Sequence, residues 1–166
     1  MPINIPPPPR STESQMPALS TYVTTEYAID LPASWKQVPQ PEPRAVAFQT
    51  IDGRAALFIS VDFYVIPPDK AQATAQRLVD SRLAEHEKQA PGQVEVFHRG
   101  SQPHSQGVGL EMYYAAHIAN QDVVMYLVYV MPMRVLNLTL VCKVDRTAAV
   151  ALFKGVRAHF RPKLAQ

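Results

Sequence analysis

Five histidines and one cysteine are the side chains with the most chemistry to offer: His86, His98, His104, His117, His159 and Cys142. His98 and His104 flank RGSQP, with Ser101 and Ser105 in the same stretch. Serine–histidine chemistry needs a nucleophile elbow and a glycine-rich oxyanion loop, and neither motif surrounds these residues. No histidine forms H-x-x-x-H or stands beside a cysteine or carboxylate cluster at metal-ligand spacing. Residues 98–107 are therefore expected to form a solvated loop, and a hydrolase at this loop is the weakest functional reading.

Cys142 falls in an alternating apolar run, so it reads as a buried small hydrophobe. A lone cysteine forms no internal disulfide and implies no oxidising compartment. Glu111 sits out of phase with Leu110 and Met112, which turns it toward solvent or a strand-pairing partner. No carboxylate pair, G-x-G-x-x-G or P-loop accompanies it. The expectation is a non-enzyme with no cofactor and no metal.

The elements that would position these groups follow from composition and period. A chain of 166 residues with 47% hydrophobic content forms one domain with a proper core. Net charge is +2, and no basic block points to nucleic acid. Lys154, Arg157, Arg161 and Lys163 suit the negative end of a last helix better than a phosphate patch. Residues 1–20 hold six of the 16 prolines and read as a flexible proline-rich arm. They lack the basic and apolar regions of a secretory signal, so the chain is expected to be cytoplasmic. The domain is expected over 21–166.

Within it, 22–31 alternates as one strand before Pro32. After a proline-rich connection, strands are expected at 44–50 and 55–65, joined across the hairpin signal Asp52-Gly53. A helix follows over 69–89, with Asp69 as N-cap and an apolar stripe of Ala71, Ala75, Leu78, Val79 and Leu83. Strands come next at 93–99 and 108–118, with a turn at Asn120-Gln121-Asp122. Asp145 caps a final helix over 145–160, on which Ala149, Phe153, Val156 and Phe160 recur at helical spacing. The fold class is α+β, a twisted antiparallel sheet with two main helices packed on it.

The stretch DVVMYLVYVMPMRVLNLTLVCKVD, residues 122–145, is long enough to raise the question of a membrane span. Pro132 and Arg134 at its centre argue against one, an arginine there costing at least about 2.5 kcal/mol. Its β-branched and aromatic content and its period of two predict two strands, 122–131 and 134–144. The first is apolar in both phases, as is much of 55–65, so both sheet faces need cover. Either the helices lie on opposite faces and all of it is core, or one face is a groove for an apolar partner.

The strand ending AIDLPASWKQ, the helix end LAEHEKQAPG, the pair GVGLEMYYAAHIANQDVVMYLVYV, then LNLTLVCKVD and a terminal amphipathic helix resemble the DcrB-like group, of Mog1/PsbP-like fold. The order is similar to that of the Eag family of type VI secretion effector chaperones over roughly 22–162. That resemblance implies a cytosolic homodimer that holds the transmembrane helices of a toxin in a groove on the sheet. The groove would use Val46, Phe48, Leu57, Ile59 and Val61. Eag-type strands carry a glutamine for the client helix; VVMYLVYV has none, and Tyr126 or Tyr129 is the polar substitute.

Two functions are expected from this. The first is a chaperone or adaptor for a secreted effector with hydrophobic segments. The alternative is a regulatory or structural protein-binding module of the Mog1/PsbP type.

Overall fold

The computed structural model describes residues 18–103, 109–118 and 122–163. The proline-rich arm up to residue 17, His104, Ser105 and the turn residues Asn120 and Gln121 lie outside them.

Two antiparallel sheets and two helices make three layers. The first sheet has the order β1-β2-β10, from β1 (Leu19–Val23), β2 (Tyr27–Pro32) and β10 (Phe160–Pro162). The second has seven strands: β3 (Lys36–Val38), β4 (Ala45–Gln49), β5 (Ala55–Asp62), β6 (Val94–Pro103), β7 (Leu110–Ile118), β8 (Asp122–Val130) and β9 (Val135–Cys142). Their order is β3-β4-β5-β9-β8-β7-β6. Helix α1 (Ala71–Gln89) covers one face of this sheet at β7 and β8; α2 (Arg146–Ala158) and the small sheet cover the other.

The stretch that raised the membrane question is the β8–β9 pair, registered from Val123↔Cys142 to Val130↔Val135. Both phases of β8 are apolar because each faces its own core. Met125, Leu127 and Tyr129 pack with Leu57, Ile59, Leu138 and Leu140 beneath Ile29, Phe153 and Phe160. Tyr126, Val128 and Val130 pack with Tyr114 and Met112 beneath Ala75 and Val79. Among the described residues, no helix is long and apolar enough to cross a membrane.

Several expected elements are changed by local chemistry. The segment 22–31 is a hairpin rather than one strand. Thr24 Oγ1 accepts from the amides of Glu26 and Tyr27, both at 3.1 Å, while the Thr24 amide donates to Tyr27 O at 2.8 Å. A hydroxyl that closes a turn in this way competes with the extended ladder. Asp69 does not cap α1: Pro68 opens a 3-10 turn over Pro68–Lys70, and the helix follows directly. Asp145 does cap α2, its carboxylate accepting from the Ala148 amide at 2.8 Å. Strand β6 runs to Pro103, so His98 and Ser101 stand in a strand and not in a loop.

Candidate partner-binding surface

The β4–β5 register places Val46 opposite Ile59 and Phe48 opposite Leu57, with Val61 two residues further along the same face. The five residues lie together on one sheet face, but the structure does not leave them as an open groove. The small sheet roofs them. Tyr22 meets Phe48 edge-on at 5.4 Å, and Tyr27, Phe160 and Tyr129 stack at 5.3 and 5.2 Å. Phe48, Leu57, Ile59 and Val61 are buried core and Val46 is half-buried against them.

Tyr126 lies on the opposite face, fully buried. Its hydroxyl donates to Asn137 Oδ1 at 2.5 Å, and Asn137 Nδ2 donates to Asp62 Oδ2 at 3.0 Å. Burial pushes the phenol up to about 12. It is an internal polar tie, not a handle offered to a client.

On that opposite face, cover is incomplete. One cross-strand row reads Val38, Ala47, Phe58, Thr139, Tyr126, Tyr114. Helix α1 covers the Tyr114 end, where His86 Nε2 and Tyr114 Oη are 2.8 Å apart. Its reach extends to Thr139, which accepts from Arg82 Nη1 at 2.8 Å. Phe58, the next residue in the row, is 41% exposed. Beyond Asp62 the chain leaves the sheet, and Phe63, Tyr64 and Val65 are 49, 56 and 77% exposed. The Arg44 guanidinium sits 5.1 Å from the Phe63 ring. Met133, in the β8–β9 turn, is exposed as well.

Sequence reading missed this surface because it continued the strand to residue 65. The signal was present: Pro67-Pro68 on one side, and Pro41 and Pro43 ahead of β4, limit how far the neighbouring strands can follow.

The residues first considered for chemistry are not gathered. His98 and Ser101 project to opposite faces of β6, paired with Ala115 and Met112 respectively, and the His98 ring lies against Tyr113 at 5.3 Å. Burial pushes the Cys142 thiol up to about 11, so it carries little thiolate at neutral pH. Glu111 is buried; it accepts from its strand partner Gln102 and from Arg157 Nη2 at 2.7 Å. Among the described residues, no group of three or more histidine, cysteine or acidic side chains could hold a metal.

Three of the four C-terminal cations form internal ties rather than a patch. Arg157 binds Glu111, Arg161 donates to Asp30 at 2.6 Å, and Lys163 Nζ donates to Thr24 O at 2.8 Å. Hydrogen bonds from Arg161 and then Thr21 hold the Asp30 carboxyl down at about 2.

This layered arrangement is the Mog1/PsbP-like fold. No protein-family model matches the chain, and no curated protein matches it by sequence. Solved structures do. The solution structure of the cyanobacterial PsbP protein CyanoP from Synechocystis superposes with a TM-score of 0.64 at 17% identity, over 91% of this chain and 96% of that one. A Mog1 variant gives 0.56 at 8% identity, over 87% and 95%. The Saccharomyces cerevisiae Ran-binding protein Mog1p gives 0.54 at 9% identity, over 87% and 96%. At these identities the likeness establishes the fold, and function has to be argued from the surface.

Proposed function

We propose that the chain is a non-enzymatic protein-binding module whose contact surface lies where α1 stops short of β5. The observation that carries this is the exposed run Phe63, Tyr64, Val65, with Phe58 exposed five residues earlier in the same chain segment. Neighbouring exposed apolar side chains of this kind mark interaction sites in soluble proteins. The description of Mog1p as Ran-binding supports the reading only as a fold-level analogy.

The finer reading is a cytoplasmic chaperone, acting as a homodimer, that keeps the hydrophobic segments of a type VI secretion effector soluble before export. It draws on the Eag-like order of motifs and on the same exposed surface. The client would then lie along Phe58 and residues 63–65. Val46, Phe48, Leu57, Ile59 and Val61 would support that surface from the core.

Co-expression with an effector segment that carries transmembrane helices tests both levels. The chaperone reading expects soluble client with the wild-type chain, and loss of it with Phe58→Asp combined with Tyr64→Asp, at an unchanged unfolding midpoint. Client that stays insoluble with wild type, or equally soluble with the variant, rejects the chaperone. A folded partner bound through the same residues would still support the regulatory module.

A further inference from the structure

A cleft of about 300 Å3 runs between the strand extension after β5 and the first turns of α1. Tyr64 and Val65 form one wall, Leu78 the other, and Val135 closes the sheet side. Among its described lining residues the charged ones are Lys70 and Arg77, and none is acidic. Neither cation forms an ion pair with a described carboxylate.

The main chain here is also unpaired. The β5–β9 ladder ends at Asp62↔Val135. The Val61 amide donates to Arg44 O, and the Ile66 amide donates to Pro132 O. Between them, no backbone hydrogen bond joins Phe63, Tyr64 or Val65 to another described residue. On the β4 side the ladder begins only at Ala45↔Ser60, so this side of residues 63–65 has no paired neighbour.

We propose that residues 63–65 are a docking edge for an extended partner segment in which apolar and acidic side chains alternate. Strand addition takes its affinity from main-chain pairing and its specificity from alternate side chains. Here the partner's backbone pairs with residues 63–65. Its apolar side chains cover Tyr64 and Leu78, and its carboxylates meet Lys70 and Arg77. A helix satisfies its own amides, so it can use the exposed side chains of this surface but not its free edge, and a basic segment is repelled at the cleft.

The proposal rests on the protein-binding reading, and its test separates the two. Random dodecamer peptides displayed on phage are selected against the full chain. Enriched peptides are then synthesised, and their affinities for wild type and for Lys70→Glu combined with Arg77→Glu are measured by fluorescence polarisation. Hydrogen exchange locates the contact. The expected result is enrichment of alternating acidic and apolar residues, at least tenfold weaker binding to the variant, and slowed exchange at Phe63, Tyr64 and Val65.

Peptides that lack acidic bias, bind the variant within twofold, or protect another surface overturn the docking edge and leave the binding module standing. The edge is also overturned if a concentration-dependent dimer alone, seen by sedimentation, protects those amides. Selection that enriches no peptide counts against both.

Discussion

Arg82 of α1 stands 4.2 Å from the centre of the Tyr126 ring while donating to Thr139 Oγ1 at 2.8 Å. One guanidinium thus joins the helix to two adjacent strands, at the boundary between the covered and uncovered halves of the sheet face. Arg82→Met keeps much of the apolar stem and removes both polar contacts. A cation–π contact and a net hydrogen bond together make this a loss of about 1–2 kcal/mol. Urea unfolding measures it, and faster amide exchange across α1 is the expected local sign. A variant as stable as wild type would mean the helix is held by its apolar stripe and the His86–Tyr114 contact without help from Arg82.

Glu111 and Arg157 form the corresponding tie on the roofed face, with Arg157 also 4.2 Å from the Tyr113 ring. Glu111 is buried and Arg157 part-buried. Removing Glu111 thus leaves a partly shielded charge without its partner, at a cost toward the lower end of the range for a fully buried pair, about 3–5 kcal/mol. Glu111→Leu should therefore destabilise the chain strongly. Adding Arg157→Met should recover part of that loss, since it removes the unpaired charge while Gln102 and Tyr129 still lack their acceptor. The double-mutant cycle reads the coupling directly. Additive losses would show that the two side chains act independently.

His86 should give stability a dependence on pH. Burial first, and the neighbouring Arg82 second, hold its pKa below the ordinary 6.5, with Glu85 acting in the opposite direction. The unfolded chain then binds more protons than the folded one near pH 6, so stability rises with pH there. This contribution is complete above about pH 6.5 and is lost as pH falls below it. Denaturant midpoints at pH 7.5 and 5.5 should differ less in His86→Gln than in wild type. An equal difference in both would assign the slope to other groups.

The sequence made the local features legible. The hairpin at Asp52-Gly53, where Gly53 takes a φ of 71°, and the capping Asp145 depend on residues within a few positions of each other. Strand β8 was recognisable from its β-branched and aromatic content, and β9 from its period of two. Which sheet face meets a roof was not legible. Phe160 pairs with Ile29, and that long-range contact converts Val46, Phe48, Leu57 and Ile59 from groove to core. The three-residue strand β10 carries no period of its own. Nor could the sequence place the exposed surface, because residues 63–65 keep the composition of a strand while their neighbour on the β4 side has ended.

Gly100 offers a last test, of the packing that holds α2 to the sheet. It faces Tyr113 across the β6–β7 ladder, and a methyl group there would overlap the hydroxyl end of that ring. The ring has little room to yield. His98 lies 5.3 Å and Phe153 6.1 Å from it, centre to centre, and the Arg157 guanidinium covers it. Overpacking a fitted site costs about 1–3 kcal/mol, so Gly100→Ala should lower the thermal midpoint by several degrees, at roughly 2–4 °C per kcal/mol for a chain of this size. In a Tyr113→Leu background the same substitution meets no ring and should cost far less. If the two losses simply add, the glycine is needed for its backbone rather than for the space above it.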